Sequence, residues 1–476
     1  MSAVVVAGAG PAGLAVAGEL ARAGVPVTVL EREAEPPGHC RGFNLNARSL
    51  ELLDRRGLAA GLLAEGPTVP STVFVGGARL DLAAMRSGHP YVLGIPQTRV
   101  EEVLAAWAAG LGARIVRGRR VTGLDQDADG VAVAVADGAP LRAGWLVGCD
   151  GGRSTVRKAA GIAFPGTAAR RRTLLGDVVL ADPSALPPGP HGRVFAIPRP
   201  GYLRILVPGA PEGGAVTLEE FRSALDEALG RRVEIAEARW LTRFGDAARL
   251  AERLRAGRVL LAGDAAHIHP PAGAIGVNAA LDDAFALGWR LGLVARGLAP
   301  DAVLDDYHAE RHAAGERLLR STVAQSRLSE PSVADDPGLT AVRDLLADLA
   351  TEDATAGPLA ETITAVAIRY PVPVPHGHPW EGRMAPDVPL ADGGTLAALL
   401  AAGPGGVLLR DGAALPVDGW AGRVTAAEAR LPGTTAALIR PDGHTAWTAP
   451  PTGDAVPSLH RALTETFGPP APPEAP

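Results

Sequence analysis

A glycine-rich turn near the start of the chain has the spacing that binds a dinucleotide. Three glycines form a GxGxxG pattern, GAGPAG. In such a pattern the first glycine permits a tight turn, the second lets the backbone approach a pyrophosphate, and the third lets a helix pack closely on its strand. Glu31 follows about 20 residues later, at the spacing where an acid accepts ribose hydroxyls. The residues expected to contact the dinucleotide here are Gly8, Gly10, Ala12, Gly13, Glu31 and Arg32.

Short apolar elements flank this turn and predict how it is positioned. Val4–Ala7 is an apolar run typical of a buried parallel strand, and residues 11 to 23 predict a helix that stops at Gly24. Val27–Leu30 predicts a second strand that ends at Glu31. The opening of the chain is therefore a βαβ unit. The pattern alone does not distinguish FAD from NAD.

A second group of polar residues follows another apolar run, WLV. Asp150, Gly151 and Arg153 belong to GCDGGRS, which leads into a basic helix. A helix N-terminus with Ser154 near the capping position accounts for these residues without a ligand. A ligand-binding turn accounts for them equally, and both interpretations stay open.

A third group lies around an acidic turn after the strand at 259–262. Asp264 can accept hydroxyls of a ribityl chain, and the Pro/Gly loop at 270–276 leads into a helix whose free N–H groups can hold an anionic ring edge. His267 and His269 lie two residues apart in a loop without a nearby third ligand. Structural or flavin-flanking roles are therefore favoured over a metal site, and no metal is predicted.

The three groups, in this order and at these separations, resemble the motifs of the group A flavoprotein monooxygenases, the para-hydroxybenzoate hydroxylase family. They correspond to its dinucleotide fingerprint, DG motif and GD motif over residues 1 to 330. The resemblance implies FAD as the bound cofactor and NAD(P)H as the reductant. It also implies oxygen transfer from a flavin C4a-hydroperoxide to an electron-rich aromatic carbon.

The resemblance also implies roles for single residues. Arg41 matches the arginine beside the mobile flavin and is the candidate catalytic residue, while Asp150 belongs to the motif that serves both FAD and NAD(P)H. Backbone amides at the end of the flavin loop would stabilise negative charge on reduced flavin. The residues placed at the cofactor in this way are Arg41, Gln97, Asp150, Asp264, Gly276, Val277 and Asn278.

The C-terminal part, with ALIRPDGHTAW at 437–447, is similar to the thioredoxin-like domain of aromatic polyketide hydroxylases. It contains no cysteine, so a dithiol function is excluded. This similarity favours a polycyclic polyketide substrate. The flavin loop departs from the pattern, because it has Gly273-Ala274-Ile275-Gly276 where polyketide hydroxylases commonly have GGQG.

The predicted fold class is α/β, with a Rossmann-like FAD-binding domain interleaved with a β-sheet substrate domain and followed by a thioredoxin-like C-terminal domain. The predicted ranges are 1–70, 96–165 and 246–330 for the FAD-binding domain, 71–95 and 166–245 for the substrate domain, and 380–476 for the C-terminal domain. Phe195, Tyr202 and Trp240 lie in the predicted substrate sheet and are candidates for the pocket wall.

Composition excludes several classes of function. The net charge of the 476 residues is -6 without a long basic block, which argues against nucleic acid as a partner. The two cysteines are far apart, which excludes a redox dithiol and a cysteine-built zinc site. No signal-like or membrane-length apolar stretch stands out, so we expect a cytoplasmic protein. It is expected to be a monomer or homodimer.

The sequence thus predicts an FAD-dependent monooxygenase of antibiotic biosynthesis that uses NAD(P)H and O2 to hydroxylate a phenolic polycyclic aromatic polyketide. A Baeyer–Villiger or epoxidising monooxygenase and an antibiotic-inactivating monooxygenase remain alternatives. A silent flavin-binding module is the alternative outside enzymes. A flavin-dependent halogenase is less similar, because the WxWxIP signature is missing.

Overall fold

A computed structural model describes residues 1–209 and 214–472. The predicted substrate and C-terminal ranges include 210–213 and 473–476, which lie outside the described residues. Among the residues that the structure describes, no helix combines the length and apolar composition that a bilayer crossing needs.

The helices of the described residues are α1 (Pro11–Arg22), α2 (Ala47–Asp54), α3 (Ala59–Leu63), α4 (Gln97–Gly110), α5 (Thr155–Ala159), α6 (Leu218–Leu229), α7 (Gly276–Ala295), α8 (Val303–Leu328), α9 (Pro337–Leu349), α10 (Asp353–Ile363), α11 (Leu396–Ala402) and α12 (Val456–Phe467). The first strands are β1 (Val4–Ala7), β2 (Val27–Leu30), β3 (Asn44–Leu45), β4 (Thr68–Val69), β5 (Ser71–Val73), β6 (Arg79–Asp81), β7 (Val92–Gly94), β8 (Arg114–Val116), β9 (Val121–Gln126), β10 (Val131–Val135), β11 (Leu141–Ala143) and β12 (Trp145–Gly148). The remaining strands are β13 (Gly166–Thr167), β14 (Arg172–Leu180), β15 (Gly189–His191), β16 (Val194–Arg199), β17 (Tyr202–Gly209), β18 (Ile235–Gly245), β19 (Ala248–Leu250), β20 (Arg255–Ala256), β21 (Val259–Leu261), β22 (His267–Ile268), β23 (Gly406–Arg410), β24 (Val424–Glu428), β25 (Ala436–Ile439) and β26 (Thr445–Thr448).

The glycine-rich turn belongs to a six-stranded sheet with the order β20-β21-β12-β1-β2-β8. All its pairings are parallel except that of β20 with β21. Parallel strands place their carboxyl ends at one edge of the sheet, where ligands of such folds bind. Gly8, Glu31, Asp150 and Asp264 each follow one of these strands within three residues, so the sheet brings them to the same edge. The predicted Rossmann-like arrangement is confirmed.

Helix α1, which follows the first strand of this sheet, packs closely on α4 and α7 because glycines leave room at the contacts. A Cβ on Gly18 of α1 would lie 2.0 Å from the Trp107 ring of α4. A Cβ on Gly288 of α7 would lie 2.3 Å from the Cβ of Glu19 in α1. Helix α7 is apolar around most of its circumference and is buried along nearly its whole length, as such helices are. This burial fixes the position of its N-terminus at the candidate site.

The second sheet, predicted for residues 166–245, is present. Its order is β15-β16-β17-β14-β18, and all its pairings are antiparallel. Helix α6 covers one face, where a Cβ on Gly176 would meet the Phe221 ring at 2.4 Å. The strands of 71–95 pair with each other and with β3 and β4 instead. The domain boundaries within 1–330 stay a prediction.

The C-terminal sheet has the order β24-β23-β25-β26, with β23 parallel to β24 and the other pairs antiparallel. This strand order, with α12 following the last strand, is that of a thioredoxin-like fold, as the sequence predicted. Its core is continuous with the first domain, because Trp289 of α7 and Val303 of α8 pack in one apolar cluster with Leu408, Trp447 and Phe467. The C-terminal domain is therefore built onto helices that also support the sheet edge.

Candidate functional site

The backbone of the glycine-rich turn explains why glycine occupies each position. Gly8 has a φ of +101°, and a Cβ there would lie 2.3 Å from the carbonyl oxygen of Cys149. A Cβ on Gly13 would lie 2.0 Å from the carbonyl oxygen of Gly8. Gly10 has no atom within 4 Å of its Cβ position, and as the N-cap of α1 it leaves the first-turn N–H groups without a side-chain cap. Open space beside uncapped N–H groups is what a pyrophosphate needs.

Glu31 closes this turn and retains capacity for a ligand. Its Oε2 accepts a hydrogen bond from the Ala9 amide at 2.7 Å, and its Oε1 accepts one from the Glu33 amide at 2.9 Å. A carboxylate oxygen can accept a second bond, so ribose hydroxyls can be bound without breaking either contact. Arg32 is exposed, and its Nε donates to Glu33 at 3.0 Å.

Asp264 lies at the same edge with an exposed carboxylate. Its neighbour Gly263 donates its amide to Oδ2 of Asp283 at 2.9 Å, which fixes the turn without using Asp264. The structure gives the Asp264 carboxylate no hydrogen-bond donor among the described residues, so it is free to accept the hydroxyls of a ribityl chain.

The start of α7 provides further donors. Its N-cap, Ile275, gives no side-chain cap to the first turn, which contains Gly276, Val277 and Asn278. Asn278 is tied to the neighbouring segment, because its Oδ1 accepts the amide of Asn46 at 2.8 Å and its Nδ2 donates to the carbonyl of Asn44 at 3.2 Å. Together with the open space at Gly10 and the exposed Asp264, these amides fit FAD.

Asp150 has a structural role that the sequence left open. Its carboxylate accepts bonds from the Ser154 hydroxyl at 2.5 Å and from the amides of Thr155 and Val156 at 2.6 and 3.1 Å. Ser154 accepts the Arg157 amide at 2.9 Å, which confirms the helix-capping interpretation. Both carboxylate oxygens of Asp150 thus support α5, and its contact with a cofactor stays a prediction. Arg153 is exposed.

Arg41 and Gln97 are brought together at the start of α4. The Gln97 amide donates to the carbonyl of Gly42 at 2.8 Å and to the Cys40 Sγ at 3.1 Å. The Gln97 side chain donates to Glu101 at 2.8 Å, and burial raises the pKa of Glu101. The Arg41 side chain is exposed beside this junction. The predicted pair is therefore adjacent, and its contacts with flavin stay predictions.

A buried ion pair that the sequence analysis missed holds the segment bearing Arg41. Arg204 donates to both oxygens of Asp177 at 2.8 Å. The same guanidinium donates to the backbone carbonyls of Cys40 and of Arg41, the latter at 3.1 Å. The second sheet thereby fixes the backbone at the candidate catalytic arginine. Charged residues inside the apolar runs LLGDVVL and YLRILV were the available signal.

A cavity of about 690 Å³ lies between the second sheet, the loop 271–273, strands β3 to β7 and the end of α8. This volume is within the range of small-molecule pockets. Most of its charged residues have partners: Arg171 pairs with Glu330 at 2.8 Å, and Asp246 accepts the amides of Arg170 and Arg171. Arg79, which also lines the cavity, donates to the Ser71 hydroxyl. The residues that give it its apolar and amide surface include Asn44, Phe74, Phe195, Leu206, Phe244 and Gln325.

The three aromatic residues proposed for the pocket wall separate in the structure. Phe195 lines the cavity and is 43% exposed. Tyr202 and Trp240 do not line it. Trp240 stacks on His39 with ring centroids 4.3 Å apart, and Tyr202 lies under the guanidinium of Arg239 at 5.3 Å. These two rings are near the segment that carries Arg41.

A fully buried ionic network supports the turn at Gly263 and Asp264, the GD turn, from the protein interior. Asp283 accepts the Gly263 amide, His267 Nε2 at 2.7 Å and Arg311 Nε at 2.8 Å. Burial alone would raise the pKa of Asp283, but the charges of His267 and Arg311 outweigh it and lower the pKa to about 2. Asp282 binds Arg48 and the same Arg311. Among the described residues no cluster of His, Cys, Asp and Glu is arranged to hold a metal.

The network continues into the C-terminal domain. Arg440 donates to both oxygens of Glu310 in α8 at 2.6 and 3.1 Å, and Glu310 also pairs with Arg290 at 2.8 Å. His444 contacts Arg48 at 3.0 Å through its Nε2 and Asp442 at 3.1 Å through its Nδ1. Burial, with the nearby charge of Arg48, lowers the pKa of His444 to about 4. The second domain therefore contributes charges to the helices behind the site.

We expect Gly10→Val to yield folded protein that lacks bound flavin. The new side chain would occupy the open space beside the uncapped start of α1, where no protein atom lies within 4 Å. The backbone of Gly10 (φ -80°, ψ -176°) is accessible to any residue, so little strain is introduced. The check is the visible absorbance of flavin per chain, with circular dichroism as the folding control. A matched variant, Gly110→Val, faces equally open space at the end of α4 and should retain flavin.

Comparison with known protein families assigns this architecture. Residues 1–322 match the family described as FAD binding domain, and residues 378–470 match the family described as aromatic-ring hydroxylase, C-terminal. Rifampicin monooxygenase of Streptomyces venezuelae is 44% identical over 467 residues, which cover 93% of this chain and 95% of that protein.

Solved structures give the same result. The anhydrotetracycline hydroxylase OxyS from Streptomyces rimosus has a TM-score of 0.90 and 42% sequence identity, over 99% of this chain and all of that one. The Diels–Alderase PyrE3 of pyrroindomycin biosynthesis has a TM-score of 0.85 and 34% identity, over 98% of this chain and all of that one. One architecture thus accompanies proteins named for oxygenation and one named for a cycloaddition.

Proposed function

The chain belongs to the FAD-dependent aromatic-ring hydroxylases, and we propose that it uses NAD(P)H and O2 to hydroxylate a phenolic polycyclic aromatic polyketide. It is a flavin monooxygenase. The observation that supports the substrate class best is the cavity of about 690 Å³ beside the loop 271–273, because its apolar wall and its size suit a fused-ring ligand. Similarity to enzymes named for rifampicin and anhydrotetracycline supports the same class.

Bound FAD would supply the redox chemistry, accepting a hydride from NAD(P)H and activating O2. In the proposed overall reaction, NAD(P)H, a proton, O2 and an aromatic C–H give NAD(P)+, water and an aromatic C–OH. The residues proposed to hold the cofactor are Gly8, Gly10, Ala12, Gly13, Glu31, Arg32, Arg41, Gln97, Asp150, Asp264, Gly276, Val277 and Asn278.

The protein's own contribution is position and exclusion of water. The first-turn amides of α7 are fixed by the burial of that helix, so they are preorganised donors for negative charge on a flavin ring edge. The cavity wall at Phe195, Leu206 and Phe244 would hold the fused rings flat against the sheet and keep bulk water away from them. His269 donates its Nδ1–H to the Pro270 carbonyl at 2.8 Å, and burial lowers its pKa, so Nε2 is available as an acceptor in the flavin loop.

Other reactions of a substrate in the same cavity are kept as alternatives. The cofactor could support lactone formation, epoxidation or inactivation of an antibiotic, since rifampicin monooxygenase is among the relatives. The similarity to PyrE3 favours a further alternative, a cycloaddition without net oxidation. A protein with that activity would not be a silent flavin-binding module.

The proposal is tested by following NAD(P)H oxidation by the flavin-loaded protein with a panel of hydroxyanthraquinones and anhydrotetracyclines, and by measuring product masses. We expect one or more of these compounds to accelerate NAD(P)H consumption and to gain the mass of one oxygen. Salicylate, a single-ring phenol, serves as the control for ring number and should stimulate weakly.

Flavin-loaded protein that no aromatic compound stimulates would contradict the hydroxylase proposal. A substrate that rearranges without a change in mass would support cycloaddition instead. The position of the new oxygen in the product, determined from its spectra, distinguishes hydroxylation from lactone formation.

A further inference from the structure

One end of the second sheet carries Arg199, Arg204 and Trp240, which the proposed cofactor site does not use. Strand register places Arg204, Asp177 and Trp240 side by side on β17, β14 and β18. Arg199 lies on the same face, because it pairs with Tyr202, two residues before Arg204. The arginine–aromatic cluster consists of His39, Arg41, Phe43, Arg199, Arg204 and Trp240.

The cluster is held together by ring contacts. The Phe43 ring contacts two guanidinium groups, with Arg199 Cζ at 3.5 Å and Arg204 Cζ at 4.9 Å from its centroid. Trp240 stacks on His39 at an interplanar angle of 18°. His39 and Trp240 are half-buried, so part of this platform is open to solvent.

Positive charge exceeds negative charge in the cluster. Asp177 neutralises Arg204. Among the described residues Arg199 forms no ion pair within 4 Å and no side-chain hydrogen bond, and Arg41 interacts with the Glu101 carboxylate only at longer range. The Arg199 Nε is buried without a partner. Burial, followed by the charge of Arg204, lowers the pKa of Arg199. Burying a cation beside another cation is costly unless an anion binds there.

The cluster is separate from the cavity but close to it. Phe195 of the cavity wall and Arg199 lie four residues apart on one face of β16, which corresponds to about 13 Å. The segment 41–44 joins the two places, since Arg41 and Phe43 belong to the cluster and Asn44 lines the cavity. A ligand at each place would meet the same stretch of backbone.

We propose that the arginine–aromatic cluster is the docking site of NAD(P)H. The inference rests on the proposed function, which requires this reductant, and it assigns residues that the glycine-rich turn cannot supply because that turn holds FAD. Arg199 binds the phosphates of the dinucleotide, since guanidinium groups match phosphate oxygens in charge and geometry. Arg41, already assigned to FAD, adds positive charge beside them. The solvent-facing side of the His39–Trp240 stack binds one of the planar rings of NAD(P)H.

The test is Arg199→Gln in the flavin-loaded enzyme, measured as anaerobic flavin reduction at increasing NADPH with the aromatic substrate present. We expect the dissociation constant of NADPH to rise about tenfold or more, with the limiting rate of reduction and the substrate dissociation constant nearly unchanged. Arg199→Lys should recover part of the affinity, because it restores the charge without the planar fork.

Arg193→Gln is the matched control, because Arg193 is an exposed arginine just before the opposite end of β16. It should leave the NADPH dissociation constant unchanged. Trp240→Leu is the second variant if Arg199→Gln does not fold, and it should also weaken NADPH while leaving the Asp177–Arg204 pair in place.

An unchanged NADPH dissociation constant in folded Arg199→Gln or Trp240→Leu would overturn the inference. Weakened binding of the aromatic substrate alone would overturn it as well and would assign the cluster to substrate. Failure of the proposed function is distinguishable, because then the wild-type enzyme itself would not be reduced by NADPH with any substrate.

Discussion

Replacing Asp283 with alanine is expected to lower the free energy of unfolding by about 3–5 kcal/mol and to impair flavin binding in the protein that remains folded. The carboxylate is fully buried and is the shared partner of the Gly263 amide, His267 and Arg311. Its removal leaves a buried guanidinium without one of its carboxylates and the GD turn without its anchor. Loss of that anchor displaces Asp264, the proposed partner of the ribityl chain.

Urea unfolding and a flavin titration of the refolded apoprotein measure the two effects. Asp305→Ala is the control, because Asp305 also pairs with an arginine but its side chain is 71% exposed, and exposed pairs contribute about 1 kcal/mol or less. If Asp283→Ala lowers the free energy of unfolding as little as the control does, the buried network stabilises the fold no more than an exposed ion pair, which would contradict the prediction.

Arg440→Met is the second large effect, with an expected loss of about 3–5 kcal/mol. Methionine keeps much of the side-chain volume and removes the charge. Glu310 and Asp442 then lose a buried partner each, although Arg290 and His444 still contact them. Because Glu310 lies on α8 and Arg440 in the C-terminal domain, we expect both domains to unfold together in the wild-type protein.

Unfolding followed separately by Trp fluorescence and by release of FAD checks this expectation. Arg461→Met removes an arginine from an exposed pair within α12 and should change stability by less than about 1 kcal/mol. Two separate transitions in the wild-type protein, or equal effects of the two variants, would contradict a role of the buried network in joining the domains.

Much of the dinucleotide site could be predicted from local pattern. The structure has β1 at Val4–Ala7 and β2 at Val27–Leu30, where apolar runs and the adjacent glycines predicted strands. Helix α1 spans Pro11–Arg22, against a predicted range of 11 to 23, because the glycine-rich turn and Gly24 mark its two ends. Glu31 and Asp264 reach the same edge because parallel topology follows from alternating strands and helices.

Positions that depend on long-range pairing could not be predicted. Phe195, Tyr202 and Trp240 all lie in strands of one sheet, but only the register of β16, β17 and β18 shows that Phe195 meets the cavity while the other two rings lie toward Arg41. Asp150 was ambiguous for a different reason. An acid five residues before a helix can bind a ligand or accept the amides of its first turn, and the structure shows that the Asp150 oxygens do the latter for α5.

Buried charges were visible in the sequence but their partners were not. The adjacent aspartates of the apolar segment ALDDAFALGW must be paired if the helix is buried. Their partners Arg48, Arg311 and His267 come from three distant segments. Composition therefore predicts that such a network exists, and only the fold shows that it joins the GD turn to the C-terminal domain.

The most direct test of the account is to run the reaction under O2 labelled with heavy oxygen, with NADPH and a polycyclic phenol that stimulates its oxidation, and to weigh the product. If the protein is a monooxygenase that binds the aromatic substrate in the cavity, the product carries one labelled oxygen atom. One NADPH is then consumed for each product molecule. A product that forms without label, or without NADPH consumption, would contradict the proposed hydroxylation.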